Sequence, residues 1–234
     1  MEIPQNILNK VIMRPDYLDW IENEASIFVY LDLTNMFHWQ DTLGWKFRIE
    51  DLIKQLFSYP SIKEIKVYYG SNERDKKNSE AFHNRIKKTG AILRTKSMKF
   101  ITKDINTGMF FQRRTISLLD GSAKEKIKEL ISHLEVSGVI IEEPKCNFDV
   151  EMAMDMLDDS DKLSAVILFS GDSDLVSPLE RLKVRGKNVA VCGVRNKVAA
   201  ELHAVKDKYL DFGKLYTGKK TYIESENPAF GGTA

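Results

Sequence analysis

Two unbroken apolar runs constrain this chain most: "SIFVYLD" at 26–32 and "SAVILFS" at 164–170. A strand with one wet face alternates apolar and polar residues. These runs do not alternate, so each predicts a strand covered on both faces, as in a parallel sheet. Each run also ends in acid. Asp32 closes the first, and the second passes into Gly171, Asp172, Ser173 and Asp174.

The intervening sequence reads as alternating helices and strands. Further strands are expected at 62–70, 91–101, 187–194 and 208–212, with a short one near 138–143. Helices are expected at 47–58, 75–90, 122–136, 149–159, 177–186 and 196–207; in the first, Ile49, Leu52, Ile53, Leu56 and Phe57 form one stripe. The turn signal "INTG" at 105–108 predicts a hairpin over 97–116. Ser177 and Glu180 have capping-box spacing, Pro178 suits a first helical turn and Gly186 a helix end, so 171–176 is expected to be loop. This alternation predicts an α/β fold with a mainly parallel central sheet. Residues 1–25 read as an N-terminal extension, 26–216 as one domain with a hairpin and helical insertion at 97–144, and 217–234 as a loose polar tail.

Bulk properties exclude little. The net charge of +1 calls for no polyanionic partner, although it leaves room for a local basic patch. Cys146 and Cys192 cannot build a disulfide framework and lack zinc spacing, so they are expected as reduced thiols of a cytoplasmic protein. No run of 18 apolar residues predicts a membrane span, and "MEIPQNILNK" lacks the form of a secretory signal.

The acids carry the functional argument. In open parallel sheets, ligands bind beyond the carboxyl ends of the strands. Asp32, Asp172 and Asp174 stand at such ends. Asp149 opens a helix whose next-turn neighbours are Met152, Ala153 and Met156, which sets it above an inward-facing apolar stripe. Two carboxylates about 5 Å apart repel by roughly 3 kcal/mol at an effective dielectric near 20. Convergence of four would require protonation or a cation. Oxygen-only ligands favour a hard dication, Mg²⁺ or Mn²⁺, and such a site suits attack of water on a phosphodiester. Each acid also has an ordinary reading. Asp32 and Asp149 suit helix caps, and 171–174 suits a plain strand-to-helix loop. Asn35 suits an N-cap, or a group orienting water or phosphate. Asp155 shares a face with Glu151 and Asp158 that is most simply solvated. The joint pattern weighs against four separate ordinary explanations.

These same residues carry a resemblance. "VYLDLTN" resembles the opening D-x-x-N of NYN domains in the PIN-like nuclease superfamily. "KCNFDVEMAMDML" is similar to that family's Lys-x-x-x-Asp stretch and following acidic helix, and "LFSGDSDLVSPLERLKVRGKNVAVCG" to its S-G-D-S-D-F loop, helix and strand. "AAELHAVKDKYLDFGKL" resembles its closing helix and strand, and the match over 26–216 is to the LabA-like branch. The resemblance implies a three-layer Rossmann-like fold and a Mg²⁺- or Mn²⁺-dependent ribonuclease. It implies metal or catalytic roles for Asp32, Asp149, Asp172 and Asp174, with Asn35 beside the first. It places Ser170 and Asp155 behind them and Lys145 against a phosphate. Leu175 stands where the family usually has Phe, and 117–144 is an insertion that could cover the site or meet a partner.

Arg94, Lys96, Lys99, Lys103, Arg113 and Arg114, interleaved with Phe100, Phe110 and Phe111, would suit single-stranded RNA; the ordinary alternative is an edge hairpin with protective lysines. Two readings therefore stand beside the nuclease. One is a non-catalytic RNA-binding or regulatory module, self-associating or meeting a protein through 117–144. The other is a phosphohydrolase acting on small esters.

Overall fold

A computed structural model describes residues 16–104, 121–138 and 140–223. The chain divides into two compact units, one running to Lys96 and resuming at Phe148, the other Ser97–Asn147.

In the larger unit the apolar runs form the middle of a sheet. Strands β1 (Ile27–Asp32), β3 (Ile62–Ser71), β4 (Ile92–Ser97), β7 (Ala165–Phe169), β8 (Asn188–Gly193) and β9 (Lys208–Asp211) take the order β4-β3-β1-β7-β8-β9. The pairings β1–β3, β1–β7, β7–β8 and β8–β9 are parallel. β1 and β7 are the most enclosed: Ile27, Val29, Tyr30, Leu31 and all of Ala165–Phe169 have no exposure. Continuous apolarity thus reports burial on both faces. After β1 the chain builds outward through β3 to β4. It then returns to the other side of β1 and builds outward through β7, β8 and β9. The order therefore reverses between β1 and β7, and a crevice opens beyond their carboxyl ends.

Helices cover both faces. On one face lie α1 (Asp16–Asn23), α2 (Leu33–Phe37), α3 (Trp39–Leu43), α4 (Ile49–Phe57) and α5 (Lys76–Lys87). They enclose a core that includes Ile21, Met36, Trp39, Leu52, Ile53, Leu56 and Ile86 with Val29, Leu31 and Val67. The predicted stripe of α4 is buried at Ile49, Leu52, Ile53 and Leu56. α1 contributes Ile21 to this core, and the Ile21 carbonyl accepts a bond from Ser61 Oγ at 2.7 Å, so the extension is integrated at least from there. The other face carries α7 (Asp149–Asp158) and α8 (Val176–Val184). Short pieces complete the unit: α9 (Ala200–Val205), α10 (Phe212–Leu215), and β10 (Thr221–Tyr222) paired antiparallel with β2 (Trp45–Lys46). Part of the expected tail is therefore ordered strand.

Besides the buried Met152 and Met156, α7 meets the sheet through polar groups toward its C-terminal end. Tyr30 and Lys66 are register partners on β1 and β3. Lys66 and Asp159, each 4% exposed, form an ion pair just past the end of α7, and Tyr30 donates to the same carboxylate at 2.9 Å. One turn back, Asp155 accepts from Tyr68 at 2.6 Å and takes both arms of Arg94 at 2.8 and 2.9 Å. Lys66 also lies 3.6 Å from Asp155. Burial and the Asp159 carboxylate push the Tyr30 phenol far above its ordinary range, so it remains a donor.

In the smaller unit, β5 (Lys99–Asp104) pairs antiparallel with β6 (Ile140–Lys145), and α6 (Gly121–Val136) lies between them in sequence. The sequence had joined 97–104 to 109–116 as a hairpin. The partner among the described residues is 140–145, and 109–116 lies outside them. The single strand expected over 91–101 is two strands, broken at Met98. Among the described residues, no helix is long and apolar enough to cross a membrane.

Candidate metal centre

Asp32 is the last residue of β1, and its side chain is set by the helix that follows. Its Oδ1 accepts the Asn35 N–H at 3.1 Å, capping α2. Its Oδ2 accepts from Ser170 Oγ at 3.0 Å, across the β1–β7 seam. The ordinary reading of Asp32 as a cap is correct, but capping occupies only one oxygen. The cap is Asp32 itself and not Asn35, as the sequence had suggested.

Asn35 instead braces two loops. Its Oδ1 accepts the indole N–H of buried Trp39 at 3.0 Å and the backbone N–H of Gly171 at 3.0 Å. This ties the turn after β1 to the turn after β7. Trp39 had not been singled out from the sequence. An indole four residues after an Asn is a weak signal, and only packing reveals that it reaches back.

The loop after β7 is shorter than expected. Ser173–Leu175 form a turn of 3₁₀-helix, capped by Asp172 Oδ1 accepting from Asp174 N–H at 3.0 Å. α8 then starts at Val176, with no side-chain cap. The Ser177–Glu180 capping box does not form, because the 3₁₀ turn has already brought the chain into helical geometry. Ser170 is wholly buried, and its Oγ accepts the Asp172 N–H at 3.2 Å while donating to Asp32. One hydroxyl therefore fixes both strand-end acids.

Asp149 sits in the first turn of α7, where a carboxylate is favoured by the helix dipole. Met152 and Met156 are buried below it, as their spacing predicted. The fold brings Asp149, Asp172 and Asp174 together: one ligand atom from each lies within 4.8 Å of the others. Asp149 and Asp172 are half-buried and Asp174 is exposed. At an effective dielectric near 20, carboxylates at such a separation repel by about 3 kcal/mol per pair. Asp32 feels the same charge. Burial raises its proton affinity most, Asp149 and Asp172 raise it further, and the Asn35 and Ser170 bonds work against them. No ion pair reaches Asp32, Asp172 or Asp174 among the described residues. The donor set is all oxygen, clustered and anionic, and so compatible with a hard divalent cation.

The other sequence candidates fall elsewhere. Asp155 is committed to Arg94, Tyr68 and Lys66. Burial alone would raise its pKa, but the Arg94 and Tyr68 bonds and the nearby cations outweigh it and hold its carboxyl below the ordinary range. Arg94 is correspondingly occupied, and Lys96 pairs with Glu151 at 2.6 Å with its ammonium 4.8 Å from the Phe148 ring centre. Lys99 and Lys145 are exposed register partners on β5 and β6 of the smaller unit. Lys103 lies on β5, although its side chain is outside the described set, as are Arg113, Arg114, Phe110 and Phe111.

Comparison with known proteins bears on the fold that carries these residues. The family model for the NYN domain matches residues 113–215, a span that includes Asp149, Asp172 and Asp174 and begins after Asp32. The chain is 23% identical over 205 residues to low amplitude and bright protein LabA of Synechococcus elongatus, covering 87% of this chain and 91% of that protein. A crystal structure of a Vibrio parahaemolyticus protein of unknown function superposes with a TM-score of 0.55 at 20% identity, over 82% of this chain and 96% of that one. The chain is therefore similar to the NYN domain over residues 113–215 and to LabA along most of its length.

Proposed function

We propose that this protein is a metal-dependent ribonuclease, hydrolysing RNA phosphodiester bonds with Mg²⁺ or Mn²⁺. The observation that carries this reading is the convergence of Asp149, Asp172 and Asp174 within 4.8 Å beside Asp32, from three separate parts of the chain. Simple capping explains the orientation of Asp32 and Asp172 but gives no reason to gather their charges.

In this reading Asp32, Asp149 and Asp172 would hold the cation, Asp32 through lone pairs not used by its Asn35 and Ser170 bonds. Asp174, the most exposed, completes the set at the solvent side and accepts a proton from the attacking water. Asn35 and Ser170 hold the two strand-end loops at a fixed separation, and they act through the acids. When bound, a dication at this position offsets phosphoryl charge and acidifies water. Lys145, Lys99, Arg113 and Arg114 are proposed to meet RNA phosphates.

The test is turnover of labelled RNA oligonucleotides with Mn²⁺ by wild type and Asp172→Asn. Cleavage by the first and its loss, by at least about 100-fold, in the second is expected. Absence of any metal-dependent cleavage by folded wild type across single-stranded and structured RNAs would refute it.

A further inference from the structure

A nuclease whose site is built from acids repels its substrate unless cations lie alongside. Of the basic residues singled out in the larger unit, Arg94 and Lys96 are paired with Asp155 and Glu151. The turn after β8 supplies others. Residues 194–199 fold back over the ends of β7 and β8, and two glycines make the space. A Cβ on Gly171 would lie 1.8 Å from the Lys197 carbonyl oxygen, and one on Gly193 would lie 2.2 Å from Val198 Cγ2. The Ala199 N–H donates to the Gly171 carbonyl at 3.0 Å, and the Lys197 N–H closes a turn on the Val194 carbonyl at 3.0 Å. Asn196 sits at the tip with φ 64°. The backbone of this turn is thus in contact with the residue immediately before Asp172.

Arg195 and Lys197 flank Asn196 and are exposed. Neither side chain forms an ion pair or hydrogen bond among the described residues, although Asp172 and Asp174 are carried on the adjoining loop. The backbone that carries these two exposed cations is therefore packed against the loop that carries Asp172 and Asp174. We propose that the 194–199 turn is a rest for the RNA backbone, with Arg195 and Lys197 contacting phosphates adjacent to the one presented to the carboxylates. This assignment rests on the ribonuclease reading for its substrate class and names where the strand lies. The substrate is single-stranded RNA, and the contacts are to its phosphates and carry no sequence preference.

The test is the double variant Arg195→Ala/Lys197→Ala in the full chain. Binding of a fluorescent single-stranded RNA is followed by anisotropy at several salt concentrations, in an Asp172→Asn background that keeps the RNA intact. Each single-strand phosphate contact contributes about 0.7 to the slope of log K against log salt, so the slope should fall by about 1.4 and affinity near 0.1 M salt by roughly 10–30-fold. In the otherwise wild-type chain, KM should rise while kcat changes little. Mn²⁺ binding by calorimetry and the melting temperature should be unchanged, which separates this effect from misfolding. Arg195→Lys should retain the slope, and Lys63→Ala, at the amino end of β3, should leave it unaltered. An unchanged slope and KM in the double variant would overturn the proposal while leaving the ribonuclease reading standing. A reduced slope in a protein that never cleaves RNA would do the reverse. No RNA binding by the Asp172→Asn chain would overturn it outright.

Discussion

Replacing Lys66 with Met should destabilise the protein more than any surface substitution, because a buried ion pair secures the C-terminal end of α7 to the sheet. Lys66 and Asp159 are each 4% exposed and form a direct ion pair, with Tyr30 donating to the same carboxylate. Methionine matches the length of the lysine stem, so packing is largely kept and the lost cation is what is measured. Asp159 is then a buried carboxylate whose remaining cation among the described residues is Lys162, 3.7 Å away and largely exposed. Breaking a buried pair from one side costs about 3–5 kcal/mol. For a domain of this size, 1 kcal/mol corresponds to about 2–4 °C in Tm, so the fall should be roughly 6–20 °C. Adding Asp159→Asn removes the stranded charge and keeps an acceptor for Tyr30. The double variant Lys66→Met/Asp159→Asn should therefore recover at least about 1 kcal/mol, and the two single effects should be strongly non-additive. Urea unfolding at neutral pH followed by circular dichroism gives all three free energies. A Lys66→Met loss below about 1 kcal/mol, or simple additivity, would refute the idea that this pair clamps α7. Because α7 carries Asp149, the same variant should also weaken Mn²⁺ binding while Asp149, Asp172 and Asp174 remain intact.

The acid side of the same face gives a pH prediction. Asp155 is held below its ordinary range by Arg94, Tyr68 and Lys66 against the opposing effect of burial, so the unfolded chain takes up that proton first as pH falls. Its stabilising contribution is present above the ordinary carboxylate range and is lost as pH drops from about 4 toward the folded value; the urea-midpoint gap between wild type and Arg94→Ala should shrink over that window, and a gap that widens there would contradict it. Saturating Mn²⁺ should raise Tm by roughly 5–10 °C at about 100 times its Kd, and Asp149→Asn should abolish the shift in differential scanning fluorimetry. Gly171→Ala should cost about 1–3 kcal/mol and impair cleavage, since its methyl group would sit 1.8 Å from the Lys197 carbonyl oxygen and the turn must move; near-wild-type stability with full activity would show that the loops are not in the stated contact.

The sequence by itself determined the buried parallel strands, most of the helices, and which acids stand at strand ends. Continuous apolarity in "IFVYL" and "AVILF" follows from burial on both faces, and burial is a local demand on each side chain. The Met152 and Met156 spacing likewise fixed which side of α7 faces inward, and so where Asp149 points. Contacts between distant segments were decided only by tertiary structure. Whether Ser177 caps a helix depended on a 3₁₀ turn set by Asp172. Whether Arg94 is available to RNA depended on Asp155, 61 residues away in sequence. That Asn35 holds Trp39 and Gly171, and that the 194–199 turn needs two glycine gaps, appear only once the strands are adjacent. The physical reason is that solvent exclusion is recorded residue by residue along a chain. The pairing of one charge or hydrogen-bonding group with another is a property of the distance between them, and folding sets that distance.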